Sequence, residues 1–175
     1  MADTIVNTQL LIGGQWRNAA DGRTLDVLDP ATGDSIGSVA HATKADMEET
    51  VAGAAVGFEA WRNLTAWDRY VIMRRAADLL RERADQIGRI MSREQGKPLE
   101  QAVIEINAAA GGNESFGEER RRLNVELVPA PAPHVEPRVL RRSVGVAAAC
   151  QPWPLFSHLP GPTGAWGSSP GGASA

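Results

Sequence analysis

Disulfide chemistry is closed to this chain. One cysteine, Cys150, stands among 175 residues, so no internal disulfide framework forms and a reducing compartment suits it. Long apolar runs are missing as well. No stretch approaches the roughly 20 residues that a membrane-spanning helix needs. Met1 to Val6 carries no basic segment leading into an apolar one, so no secretion signal is expected. A surplus of one charge is also lacking: 18 basic against 21 acidic residues leave a net charge of −3, which gives nucleic acid or an anionic membrane no footprint. These absences lead to a soluble, cytoplasmic protein as the expectation.

The compact chemical templates are missing too. No Gly-x-Gly-x-x-Gly opens a helix, and there is no phosphate-binding P-loop, no His-Glu-x-x-His and no Cys-x-x-Cys. His41, His134 and His158 lie far apart, none with another histidine or a cysteine at i+2 to i+4, so no metal site is expected.

What is present is an ordinary globular balance, 43% hydrophobic and 22% charged, in a chain long enough for one domain with a core. Its first part reads as short strands and turns. Leu10–Ile12 is apolar, Gly13-Gly14 turns the chain, and Gln15–Arg17 is extended. Asp21-Gly22 is a hairpin turn signal. Thr24–Leu28 and Ser35–Val39 flank the turn cluster Asp29-Pro30-Ala31-Thr32-Gly33. Together these predict a β-meander.

From Thr43 the period becomes helical. Thr43 is an N-cap with Asp46 three residues on, and Met47, Val51, Ala54, Ala55 and Phe58 predict the buried face. Thr65 and Asp68 repeat the cap. Tyr70, Met73, Ala77, Leu80, Ala84, Ile87 and Met91 then mark one long helix or two in sequence, while the arginines at 74, 75, 81 and 83 fall largely outside the stripe and are expected in solvent. Gly96 predicts a helix stop and Pro98 the first turn of the next helix, Leu99–Ala110, which Gly111-Gly112 is expected to interrupt. Leu123–Leu127 and Arg138–Leu140 predict a strand pair around a proline-rich connection, and Val144–Cys150 a strand buried on both faces. Residues 151–175 hold five prolines and five glycines, a composition that predicts disorder over 154–175.

Two residues invite a chemical role. Cys150 has the atom of a nucleophile, but it ends an apolar run with no adjacent histidine, which favours packing. Glu105 has the atom of a general base, but a lone glutamate on an amphipathic helix more often pairs or faces water.

Several segments, taken in order, carry a resemblance. Leu11-Ile12-Gly13-Gly14-Gln15-Trp16 is similar to "INGEW", Asp29-Pro30-Ala31-Thr32-Gly33-Asp34 to "NPATGE", and Phe58-Glu59-Ala60-Trp61-Arg62 to "F-x-x-W". Arg93 to Leu99 with Glu105 downstream resembles "E-x-GKPL…E". Phe116-Gly117-Glu118-Glu119 resembles "FAEE", and Val144-Gly145-Val146 through Pro152-Trp153 resembles "P-x-GV…PWNFP". Over residues 8–153 this set resembles the aldehyde dehydrogenase superfamily, with Glu94-Gln95-Gly96-Lys97-Pro98-Leu99 most similar to its succinate-semialdehyde dehydrogenase branch.

The resemblance implies an α/β fold: the N-terminal part of a Rossmann-like cofactor-binding domain, with residues 123–142 as strands bridging to a partner subunit. It implies oxidation of an aldehyde to an acid with NAD or NADP, through a cysteine thiolate, a glutamate-activated water and an oxyanion hole that includes the Asn of "PWN". Gln151, Pro152 and Trp153 would line the cofactor and substrate junction. The pattern departs at Pro154: either it replaces the family's Asn and offers neither a side-chain amide nor a backbone N–H, or two residues are missing and it matches the final Pro of "PWNFP". By the same resemblance the nucleophile, the base and the glycine-rich cofactor segment belong beyond residue 175, and the tail resembles a shifted reading frame or a premature end. The expectation is a truncated aldehyde dehydrogenase, inactive by itself and marginally stable because its last strand lacks neighbours. The alternatives are a non-catalytic module that associates with a full-length relative through the bridging strands, and an active enzyme whose remaining parts come from another chain; a homo-oligomer is the other partner expectation.

Overall fold

The computed structural model describes residues 9–130 and 132–149. Two short hairpins come first. β1 (Leu10–Ile12) pairs antiparallel with β2 (Gln15–Arg17) around the Gly13-Gly14 turn, with Leu11 opposite Trp16. β3 (Thr24–Leu28) pairs antiparallel with β4 (Ser35–Ala40), Leu25 opposite Val39, and a register shift falls between Val27 and Leu28. The turn between them is closed by Asp29, whose side chain accepts from the Ala31 N–H at 2.8 Å and whose backbone N–H donates to the Asp34 carbonyl at 2.9 Å.

The meander expectation needs correction here. β2 and β3 do not pair, and Asp21-Gly22 is a turn that redirects the chain between two separate sheets. The Asp21 carboxylate binds the Arg23 backbone N–H at 3.0 Å and the Arg23 guanidinium, tying the turn to itself and leaving the next strand free to choose another partner. Leu10, Ile12 and Ala19 are buried together, with Ala40 and Ala42 packed against them.

α1 (Lys44–Arg62) begins at a complete capping box. The Thr43 hydroxyl accepts from the Asp46 N–H, and the Asp46 carboxylate accepts from the Thr43 N–H at 2.8 Å. Its buried residues are Asp46, Thr50 and Ala54, whereas Met47 and Val51 are about half exposed, at 50% and 55%. The apolar stripe expected from spacing is therefore rotated from the face that packs. The reason is tertiary: the Asp46 side chain is claimed by the β2 region, and that turns the polar face of the first two turns inward.

α2 (Ala66–Glu82) repeats the capping box at Thr65 and Asp68. α3 (Ala84–Gln95) follows after a break at Arg83, so the long stripe is two helices, with Met73, Ala77, Ala84 and Met91 buried as the spacing predicts. α3 ends at Gly96, which adopts φ 69°, a left-handed conformation that costs a glycine nothing, and its N–H bonds the Ser92 carbonyl at 2.9 Å. Pro98 holds the N-cap position, one residue earlier than the first turn.

α4 (Leu99–Arg121) runs 23 residues without a break, so the interruption expected at Gly111-Gly112 does not occur. α2 and α3 pack along it, and that support outweighs the roughly 1 kcal/mol that each helical glycine costs relative to alanine. Ala84, Met91, Ala102 and Ile106 form the helical core, with Leu80, Ile87 and Val103 packed around it. Farther along, α2 and α4 approach closely at Gly117: a Cβ there would lie 3.3 Å from Tyr70 Cδ2 and 3.4 Å from Met73 Cβ.

β5 (Glu126–Leu127) and β6 (Arg138–Val139) pair antiparallel, and the Val128 N–H extends the ribbon to the Pro137 carbonyl at 3.0 Å. This is the expected strand pair, shorter than its sequence signal. The strand expected over Val144–Cys150 is not formed across its described residues, and Val144 is 94% exposed. A strand exists only through its ladder, and among the described residues no segment pairs with this one. Cys150 and the 154–175 tail lie outside the described residues. No helix among the described residues is long and apolar enough to cross a membrane.

Candidate functional site

Gln151, Pro152 and Trp153, expected at the cofactor and substrate junction, lie outside the described residues, as does the departure at Pro154. The described residues do not build a dinucleotide cradle either. Their paired strands are all antiparallel two-stranded ribbons, and none runs into a glycine-rich turn that opens a helix.

Among the described carboxylates, Glu105 is committed. It sits on α4, largely buried, in an ion pair with the Lys97 ammonium from the turn before the helix. The structure thus gives Glu105 the pairing role that its place on the helix favoured in the sequence. The Ser92 hydroxyl in the same turn donates to the Lys97 carbonyl at 2.6 Å. The whole "E-x-GKPL…E" segment is thereby a brace between α3 and α4.

Glu94 differs. Burial raises its carboxyl above the ordinary value, the desolvation signature that general acids and bases also carry. No cysteine or histidine lies next to it in sequence to supply a nucleophile.

Asp46 is the most enclosed carboxylate, 1% exposed. The Thr43 backbone N–H, the Thr43 hydroxyl and the Ala20 N–H hold it below the ordinary range, against a burial that pushes the other way, with the Arg17 charge adding to the effect. Arg17 Nη2 reaches Asp46 Oδ1 at 3.2 Å and Glu49 Oε2 at 2.6 Å. With its acceptor sites filled by the protein, Asp46 joins β2 to α1. It is a structural hub that sequence reasoning saw only as a local cap.

The exposed face of α2 and α4 is an ion-pair surface, as expected for the arginines at 74, 75 and 81. Glu114 takes Arg74 on one oxygen at 2.8 Å and Arg81 on the other at 2.5 Å, and Arg75 reaches Glu82 at 3.3 Å. A shallow groove of about 410 Å³ on the same stretch of α4 is lined by Gly111, Glu114, Ser115, Glu118, Glu119 and Arg122. Its glutamates are engaged: Glu118 by Arg121 and Glu119 by Arg122, each at 3.3 Å. Nothing in it polarises a carbonyl.

Comparison with known proteins supplies what this geometry leaves open. The aldehyde dehydrogenase family model matches residues 16–161. The glutarate-semialdehyde dehydrogenase of Pseudomonas aeruginosa is 40% identical over 151 residues, 86% of this chain and 31% of the relative. The NADP(+) succinate-semialdehyde dehydrogenase of Escherichia coli is 38% identical over 83% of this chain and 30% of its own length. Among solved structures, the succinate-semialdehyde dehydrogenase of Burkholderia pseudomallei superposes with a TM-score of 0.70 at 38% identity, covering 72% of this chain and 26% of that one. The betaine aldehyde dehydrogenase of Staphylococcus aureus, solved with NAD+, gives 0.71 at 26% identity, covering 74% and 26%. The chain spans less than a third of the length of these relatives. On the strength of a match over most of its residues, and of the brace and turns described above, the chain belongs to the aldehyde dehydrogenase family.

Proposed function

We propose that these residues are the N-terminal part of an NAD(P)-dependent aldehyde dehydrogenase whose substrate is a short dicarboxylic semialdehyde of the succinate or glutarate type. The observation that carries this reading is the 38–40% identity to enzymes named for those two substrates, spread over more than four-fifths of the chain. In this reading Gln151, Pro152 and Trp153 face the cofactor and substrate, and residues 8–153 form the N-terminal part of the family domain.

The 175 residues do not turn over an aldehyde by themselves. The family's chemistry needs a thiolate beside a nicotinamide, a base for water and donors for the oxyanion. In this reading the single cysteine of the chain, Cys150, is not the family's nucleophile, and the described residues build no cradle for a dinucleotide.

The test has two arms. The purified chain is mixed with succinate semialdehyde or glutarate semialdehyde and either NAD+ or NADP+, and absorbance at the reduced-nicotinamide band is followed; no reduction is expected, and steady turnover refutes the inactivity. Residues 16–149 are then exchanged into the E. coli succinate-semialdehyde dehydrogenase in place of the matching segment. A soluble chimera that keeps succinate semialdehyde as its best substrate supports the reading, and a folded but inactive chimera removes it.

The β5–β6 ribbon serves, in the same reading, as bridging strands toward a second subunit. What supports this is the exposure of Leu127, Val139 and Leu140 on so small a ribbon. Sedimentation equilibrium checks it: concentration-dependent association that Leu127→Lys abolishes is expected.

A further inference from the structure

Between the two hairpins the chain passes through Asp21-Gly22, a dipeptide with covalent chemistry of its own. A glycine after an aspartate leaves its main-chain nitrogen open to approach, because no Cβ shields it. That nitrogen attacks the aspartate Cγ. Water leaves, made from the carboxyl hydroxyl and the amide proton, and a cyclic imide joins side chain to main chain. A second water then opens the imide. Where it adds to the main-chain carbonyl, the backbone continues through the former side chain as an isoaspartyl link, longer by one carbon. The first step needs a protonated carboxyl, since an ionised one has no hydroxyl to lose, and a nitrogen free to give up its proton.

The fold withholds both. Arg23 Nε donates to Asp21 Oδ2 at 2.5 Å, and the Arg23 backbone N–H donates to Oδ1 at 3.0 Å. That N–H first, and then the guanidinium, hold the carboxyl below its ordinary 3.8. The attacking atom is committed as well: the Gly22 N–H donates to the Ala19 carbonyl at 2.9 Å, with Gly22 at φ 71°. Burial does not shield the turn. The Asp21 side chain is 36% exposed and that of Arg23 65%, so water reaches it and the hydrogen bonds supply the restraint.

The dipeptide also lies between two anchors. Just before it, the Ala20 N–H donates to Asp46 Oδ2 at 3.1 Å, which fastens the chain to α1. Just after it, the Arg23 carbonyl accepts from the His41 N–H at 2.9 Å, at the end of the β3–β4 ribbon. A main-chain carbon inserted between them breaks the Ala19–Gly22 turn and shifts one anchor against the other. We propose that Asp21-Gly22 is a latent isomerisation site guarded by Arg23: the clasp of Arg23 on the carboxylate, with the Ala19 carbonyl on the Gly22 N–H, keeps Asp21 from converting to an isoaspartyl residue while the chain is folded. This guard stands independently of the semialdehyde reading.

The full 175-residue chain is aged for weeks at neutral pH, folded in buffer and unfolded in urea, and isoaspartyl residues are located by mass spectrometry with electron-transfer fragmentation. The folded chain is expected to convert at Asp21 about tenfold or more slowly than the unfolded one, and folded Arg23→Gln to convert about tenfold faster than the folded native chain, the ratio that one charge-assisted hydrogen bond represents. Arg23→Lys, which keeps a cation beside the carboxylate, recovers part of the protection. Asp34-Ser35, at the other end of the β3–β4 ribbon, is the internal control and converts equally in native protein and Arg23→Gln. Equal conversion of Asp21 in the folded and unfolded chains overturns the proposal, as does an Arg23→Gln variant that ages like the native protein. A rise of the same size at Asp34 marks general loosening and removes the guard role. Should Arg23→Gln fail to fold, the folded and unfolded native chains decide by themselves.

Discussion

Arg17 and Asp46 meet across 29 positions of chain, Nη2 to Oδ1 at 3.2 Å, and through them the first hairpin is fastened to the first helix. Asp46 gathers the Thr43 N–H and hydroxyl, the Ala20 N–H and the Arg17 guanidinium on its two oxygens. An asparagine has one acceptor oxygen and no charge, so it cannot satisfy this set. Asp46→Asn is expected to lower the melting temperature at neutral pH. The folded carboxyl sits below its ordinary 3.8, so its contribution is present above that value and fades as pH falls through the depressed folded value. Thermal melts from pH 7 to 2 check both points: the gap between native protein and variant should close at the acid end. A constant gap contradicts the ionic part of the account.

Glu94 carries the opposite sign. Burial raises its carboxyl, so the folded state prefers the protonated form and ionisation at neutral pH opposes folding. Stability from this group is complete below the ordinary 4.5 and is lost as pH rises through the elevated folded value. Glu94→Gln is isosteric and uncharged, and it is expected to melt higher than the native protein at pH 7 and alongside it near pH 4. Equal melting temperatures at both values would show that the carboxylate is better solvated than its surroundings suggest.

The helical core rests on Ile106, which is completely buried between α3 and α4. Truncation to alanine removes three carbons and leaves a cavity that a long packed helix fills poorly. Ile106→Ala should destabilise by about 2–5 kcal/mol in urea titrations, with the helical circular dichroism of the folded state preserved.

At Gly117 the helices α2 and α4 approach closely outside that core. Leucine there must displace Tyr70 and Met73, and Gly117→Leu should destabilise by about 1–3 kcal/mol despite its better helix propensity. Gly111→Ala is the control: a Cβ at Gly111 meets nothing within 4 Å, so the same gain in propensity should appear as a net stabilisation of about 0.5–1 kcal/mol. Chemical denaturation of the pair separates propensity from packing.

Local chemistry explains which features were legible beforehand. Thr43 with Asp46, and Thr65 with Asp68, are capping boxes because the partners are three residues apart, a distance that sequence displays directly. Gly96 stops α3 because its left-handed backbone is a property of the residue itself. The stripe from Met73 to Met91 packs as its period predicts, since helices that lie against a neighbour along their whole length bury whatever repeats every three or four positions.

Where the pattern misled, the deciding partner was remote. Met47 and Val51 repeat at helical spacing yet stay half exposed, because Arg17 and Ala20 draw the Asp46 side of α1 inward. Gly111-Gly112 reads as a break, but α2 and α3 hold the helix through it. Val144 to Ala149 reads as a strand, but a strand is a relation between segments, and no described segment pairs with it. The family motifs were visible as residues; that Lys97 and Glu105 of "E-x-GKPL…E" pair into a brace was visible only in space.

The sequence alone therefore determined the capping sites, the turns, the helix stop at Gly96 and the family, because each is written in residues near one another or in a fixed order along the chain. Tertiary structure alone decided which face of α1 is buried, that the stripe from Tyr70 to Met91 is two helices, that α4 is one helix, and that β2 and β3 belong to different sheets. These depend on groups brought together from distant positions, and the energy of such meetings is not a property of either partner by itself.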